Sequence, residues 1–203
     1  MKKRSILLFL ILFSAGLIHA QQLRFIGDGA VSKSVGQNYN LFNWGFAAGG
    51  DVLFYIDDNF LLGARAAYVR WSPVDSEFLD NVEGLFNGQV SGNASTIEIV
   101  PIARLTTNYP MSVINLFAQA GAGLYITDTK VTVSGTDGTD SLIQRSFGTD
   151  SKGRFGFSIG GGLTFGSPEF ISIDVYPLFN MVFLENNNRF KYFTFNLGLA
   201  VGI

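Results

Sequence analysis

From Phe193 to Ile203 every second residue is apolar: Phe193, Phe195, Leu197, Leu199, Val201 and Ile203. The residues between them, Thr194, Asn196, Gly198, Ala200 and Gly202, are small or polar, and none is charged. A period of two over this length predicts a β-strand with two unlike faces. A half-buried strand of a soluble sheet turns Lys, Glu and Thr to water, whereas neither face here is built for bulk water. The pattern suits large apolar side chains on the outside of a narrow closed barrel and small ones inside it.

The same alternation recurs upstream. A weak first strand covers 22–31, with Leu23 and Phe25 alternating against Arg24 and Ile26. Over 41–56, Phe42, Trp44, Phe46, Val52 and Phe54 share one face and Asn43, Ala47, Asp51, Leu53 and Tyr55 the other. Over 60–71, Leu62, Ala64, Ala66 and Tyr68 point outward and Gly63, Arg65, Ala67 and Val69 inward. Over 96–106, Ile97, Ile99, Ala103 and Leu105 oppose Glu98, Val100, Ile102 and Arg104. Pro101 removes a ladder donor from that strand and predicts a bulge or a local irregularity. Segments 114–127, 153–166 and 170–180 alternate in the same way, and the terminal strand completes eight.

The connections alternate too: short at 57–59, 108–113 and 167–169, long at 72–94, 128–152 and 182–190. An even number of antiparallel strands, with short turns at one end and long loops at the other, is the organisation of bacterial outer-membrane barrels. The fold predicted is therefore all-β, an eight-stranded antiparallel transmembrane barrel with short periplasmic turns and longer extracellular loops. The turn Asp57-Asp58-Asn59 also sets a register. With Ile56 opposite Phe60, Asp51 falls opposite Arg65, and both face inward, which predicts a charge-assisted pair.

A short helix is expected in the first long connection. Ser72 stands where an N-cap belongs, Pro73 at the first helical position, Asp75 in the first turn, and Gly88 at the end. Val74, Phe78, Val82, Leu85 and Phe86 recur at helical spacing opposite Glu77, Asp80 and Glu83, so the expected helix spans 73–86 and is amphipathic.

The first residues change the compartment. Lys2, Lys3 and Arg4 precede an apolar run from Ser5 to Ile18, then His19 and Ala20. That is the layout of a secretory signal peptide over 1–20, with the barrel occupying 21–203. The run of 14 residues falls short of the ~20 that a spanning helix needs. Without the leader, 11 basic residues face 16 acidic ones, and no basic patch points to nucleic acid. Cysteine is absent, which removes disulfides, thiol catalysis and thiolate metal sites together. Glycine, at 24 residues, lies inside the alternating segments and predicts close backbone approach or a tightly filled interior.

Known barrel lipases and proteases need a His beside a Ser or an Asp, and the single His, His19, leaves with the leader. Metal catalysis lacks His and Cys ligands as well. Gly121-Ala122-Gly123 and Gly160-Gly161-Gly162 do not continue as nucleotide-binding loops and read as strand interior. Asp137, Asp140 and Asp150 lack the spacing of a calcium loop. Asp140-Ser141-Leu142 is similar to an O-glycosylation triplet of some bacteria, over three residues only.

The run Ala118-Gln119-Ala120-Gly121-Ala122-Gly123-Leu124-Tyr125, the glycines at 160–162 and the alternating terminal strand resemble the small outer-membrane β-barrel proteins of OmpA/OmpX architecture. The resemblance covers nearly all of 22–203. It implies residence in the outer membrane among lipid and lipopolysaccharide, and delivery to the assembly machinery through the C-terminal strand. Such proteins usually end in an aromatic residue, whereas Ile203 stands here.

Arg65, Arg104 and Arg154 share inward parity with Asp51, Glu98 and Asp174. Buried charge is costly unless paired, so mutual neutralisation inside the barrel is expected, because eight strands enclose little more than their own side chains. The functional expectation is a non-enzymatic outer-membrane protein without cofactor, structural or acting through its loops on an extracellular ligand that the sequence does not identify. The alternatives are a narrow porin-like channel, a lipid-modifying enzyme working through carboxylates, Lys or Tyr, and a secreted soluble ligand-binding barrel.

Overall fold

The computed structural model describes residues 23–36, 41–80, 82, 86–107, 113–136, 141–167, 170–185 and 188–203. The expected leader, most of the 108–113 turn, Pro168 and Glu169 of the 167–169 turn, and Asp137 and Asp140 lie outside them. The strands are β1 (Leu23–Val35), β2 (Gly45–Tyr55), β3 (Phe60–Trp71), β4 (Phe86–Thr106), β5 (Ile114–Thr136), β6 (Leu142–Gly166), β7 (Ile171–Phe183) and β8 (Arg189–Gly202). Each is antiparallel to its neighbours in sequence, and β8 pairs back onto β1 from Arg24↔Gly202 to Val35↔Lys191. Closure leaves the barrel body without an edge strand.

Period-two patterning carries through to burial. Inward Leu53, Val69, Val100 and Leu178 are no more than 1% exposed, while outward Phe46, Leu105, Phe155 and Leu197 are 59–73% exposed. Three buried inward aromatics lie over glycines of a neighbouring strand. A Cβ added at Gly45 would stand 2.5 Å from Trp71 Cδ1, one at Gly156 2.7 Å from Tyr125 Cδ2, and one at Gly162 2.5 Å from Tyr176 Cβ. The glycines thus provide the room that large rings need inside a narrow barrel. Gly162→Ala, whose new methyl would also meet the Val175 carbonyl at 2.2 Å, is expected to destabilise the barrel by about 1–3 kcal/mol through overpacking. A urea midpoint equal to that of the unaltered protein would contradict this.

Four features differ from the sequence expectation. First, the long connection 128–152 is largely strand, and so is 72–94 from Phe86 onward. β3 pairs with β4 only up to Trp71↔Ala94, yet β4 continues against β5 to Phe86↔Thr136 and β5 against β6 to Thr136↔Leu142. The result is a three-stranded sheet that projects past the barrel. Its Ser- and Thr-rich composition resembles loop, but Val131 and Val133 point to one side and are 1% exposed. Around them Phe78 packs at ring-centroid distances of 6.3 Å from Phe42 and 6.1 Å from Phe147.

Second, the helix is short. α1 runs Asp75–Leu79, begins after Val74, and has no side-chain cap, so Ser72 is not its N-cap. Pro73 instead bridges to Phe42, and β4 claims the chain from Phe86. Third, 41–44 is not part of β2, and Phe42, expected on the outer face, is buried at 6%. Fourth, Pro101 brings the local irregularity and not the bulge: the β4–β5 ladder has no rung at Val100 or Pro101. The β4–β5 register is the same at Ile99↔Leu124 and Ile102↔Gly121, and Pro101 pairs with Ala64 on its other side. Gly123, whose added Cβ would stand 3.1 Å from Pro101 Cδ, leaves the ring its space.

Candidate functional site: the charged core of the barrel

The 57–59 turn closes with Ile56 N–H donating to the Phe60 carbonyl at 2.9 Å. Asp51 and Arg65 are cross-strand partners, as the turn length requires, and Arg65 Nη1 lies 2.9 Å from Asp51 Oδ1. This pair is one link of a larger cluster. Arg65 also donates to Asp28 Oδ2 at 2.6 Å, to the Tyr176 hydroxyl at 3.0 Å and to Asn196 Oδ1 at 3.1 Å, with Glu98 at 3.6 Å from its Nε.

Arg104 joins the next layer. It reaches Asp51 at 3.3 Å and Asp174 at 2.7 Å, donates to Gln119 Oε1 at 2.6 Å, and lies 4.1 Å over the Phe117 ring. Asp174 is shared further, accepting from Arg24 Nη2 at 2.7 Å and from the Thr164 hydroxyl at 2.7 Å. The Tyr192 hydroxyl donates to Glu98 at 2.5 Å, and that of Tyr176 to Asp28. All eight strands contribute, and Arg24, Asp51, Arg65, Glu98, Arg104 and Asp174 are each at most 3% exposed.

Three guanidinium groups thus meet four carboxylates, and the tyrosine hydroxyls bond two of the acids. Burial of so many charges is tolerable only because nearly every one has several partners. Sealed and mutually bonded, these groups offer a substrate no approach. What they do offer is cross-bracing: side chains link strands that the backbone ladder does not join, such as β3 to β7 through Arg65–Tyr176.

Arg154 lies apart from this cluster. It is cross-strand from Tyr125, makes no ion pair with any of the four acids, and lines a cavity at the long-loop end. Beside it, Lys152 Nζ lies 3.0 Å from Glu185 Oε1 and holds that exposed carboxyl below its usual range, with Arg154 adding to the effect. Parity gives the face of a strand but not the height along the barrel, because the strands are tilted. Arg24 and Asp28, absent from the sequence expectation, are full members of the cluster. Their signal was the even parity shared by Arg24, Ile26 and Asp28 against Phe25, obscured by an apolar inward residue and by Gly27 and Gly29. Tyr176, Gln119 and Asn196 also had inward parity but no charge to single them out.

Among the described residues, no group of His, Cys, Asp and Glu is arranged to hold a metal ion, and no helix is long and apolar enough to cross a membrane. No protein-family model matches the chain, and no curated protein matches it in sequence. Solved structures do resemble it. Neisserial surface protein A shares 15% identity with a TM-score of 0.52, covering 88% of this chain and 96% of its own. A major outer membrane protein of Thermus thermophilus shares 12% identity, also with a TM-score of 0.52, covering 89% of this chain and 99% of its own. At such identities the likeness is one of fold: this chain has the closed eight-stranded barrel of these proteins.

Proposed function

We propose that the chain is an integral outer-membrane protein with a closed, charge-filled interior, that it is not an enzyme, and that it acts structurally or through its long-loop end. One observation carries this reading: a girdle of exposed Phe, Leu, Ile and Val surrounds a closed barrel whose polar groups are turned inward. Water-soluble proteins rarely expose contiguous apolar surface beyond a few hundred Å², and a bilayer requires that all backbone groups be paired internally, as closure ensures. The two solved structures of similar fold are described as a surface protein and a major outer membrane protein, which supports the same residence.

The interior favours a plug over a pore. Arg65 and Arg104 span the lumen to acids on other strands, leaving the cluster sealed at 3% exposure or less. The leader over 1–20 provides export, outer-membrane lipid and lipopolysaccharide contact the girdle, and β8 is the strand the assembly machinery reads. The absence of His from 21–203 argues against a barrel hydrolase.

Expressed with its leader in a Gram-negative host, the protein is expected in the outer-membrane fraction, resistant to carbonate extraction, with an intact mass that begins at Gln21. Purified into planar bilayers, it is expected to give no steady conductance. Recovery as a soluble periplasmic protein would overturn the membrane reading, and stable single-channel steps would overturn the closed interior.

A further inference from the structure

The barrel pairs three of its inward arginines with carboxylates: Arg24 with Asp174, Arg65 with Asp28 and Asp51, Arg104 with Asp51 and Asp174. Arg154 is also inward-facing, on β6, but has no hydrogen-bonded partner among the described residues, and its Nε is buried and unsatisfied. A buried, unsatisfied donor carries its desolvation cost without return. The residue stands in the wall of a cavity of about 280 Å³, close to the lower end of the range for small-molecule sites, ~300–1,000 Å³.

The rest of that wall is divided by chemistry. Phe42, Trp71, Leu184 and Phe190 are its apolar part, while Thr96, Thr127 and Thr129 join Arg154 as its polar part. The apolar part is preorganised. Trp71 meets Phe190 edge-on at 5.3 Å and Tyr192 at 5.0 Å, and its Nε1 donates to the Ser32 hydroxyl at 3.1 Å. The β5–β6 ladder slips between Thr127 and Thr129, so the backbone is irregular where the cavity forms. A single guanidinium, with the nearby Glu185 already held by Lys152, suits a ligand of one negative charge.

We propose that this cavity at the mouth of the barrel binds a small amphipathic carboxylate, its apolar chain against Phe42, Trp71 and Phe190 and its carboxylate on Arg154. The assignment rests on the folded barrel and not on the non-enzymatic reading above.

Trp71 reports on the site once the exposed Trp44 is replaced by phenylalanine, since the chain has two tryptophans. The Trp44→Phe protein in lipid nanodiscs would be titrated with 8-bromooctanoate, whose bromine quenches indole fluorescence at contact, and separately with 8-bromooctanol. Saturable quenching by the carboxylate, weak quenching by the alcohol, and at least about tenfold weaker carboxylate binding on adding Arg154→Gln are expected from loss of one charge-assisted hydrogen bond. Octanoate should displace the probe better than octyl phosphate does. Quenching that rises without saturation and equally for acid and alcohol, an unchanged affinity in Arg154→Gln, or stronger displacement by octyl phosphate would each overturn the assignment. If the Arg154→Gln barrel does not fold, the acid–alcohol comparison on the Trp44→Phe protein decides alone.

Discussion

Replacing Arg65 by alanine is expected to cost the folded barrel about 3–5 kcal/mol, the penalty for leaving buried charges without their partner. The size follows from the number of groups stranded: Asp28, Asp51 and Glu98 all lie within 4 Å of this guanidinium, and Tyr176 and Asn196 bond it as well. Arg104 remains to neutralise Asp51, but it does not reach Asp28 or Glu98. Exchanging the residues at 51 and 65 is not expected to restore stability, because a carboxylate at 65 would face those two acids. Arg65→Met combined with Asp28→Asn should instead recover part of the loss, since it removes charge of both signs. Urea unfolding in lipid vesicles measures all three variants; an unchanged midpoint for Arg65→Ala would sink the bracing role.

The outer face gives the second large effect. Leu197 lies midway along the apolar face of β8 and is 61% exposed. Leu197→Arg is expected to destabilise the bilayer-embedded barrel by about 2–4 kcal/mol, the cost of a cation near the membrane midplane. In a water-soluble barrel the same exposed substitution would fall within about 0.5 kcal/mol of neutral. Leu142→Arg, at the start of β6 on the projecting sheet and 76% exposed, serves as the comparison and should be close to neutral in either case. Equal, small effects at both positions would speak against the membrane girdle.

Much of this architecture was legible in the sequence because its two faces differ so sharply. Outward Leu and Phe against inward Gly, Asn and Thr fix the parity of β8, and a three-residue turn is enough to place Asp51 across from Arg65. What was not legible depends on partners remote in sequence. Residues 128–136 and 142–152 have the composition of loops and become strands because they pair with each other and, through Phe147, pack on Phe78. Phe42 follows the outward parity of β2, yet the chain leaves the ladder before it and Pro73 bridges it inward. Arg154 shares a face with the charged core, but strand tilt separates it from those acids. The helix ends at Leu79, well short of the expected 86, and from Phe86 the chain is already in β4 and paired with β5, while Glu83 and Leu85 lie outside the described residues.

The seam between β1 and β8 has a consequence for the order in which the barrel assembles. Every other neighbouring pair is consecutive in sequence and can zip from its own connection, which at turns such as 57–59 is only three residues long. The first rung of the seam at the long-loop end, Val35↔Lys191, encloses the 155 residues between them. Each doubling of loop length adds about 0.6 kcal/mol of closure entropy, so the seam starts at a disadvantage of roughly 3 kcal/mol relative to the tightest hairpin. Its ladder and the Arg24–Asp174 contact, which reaches across β8 to β7, must offset that before the ring is stable. The two ends of the chain therefore meet last, and the ion pair between β1 and β7 forms only in a barrel that has already closed.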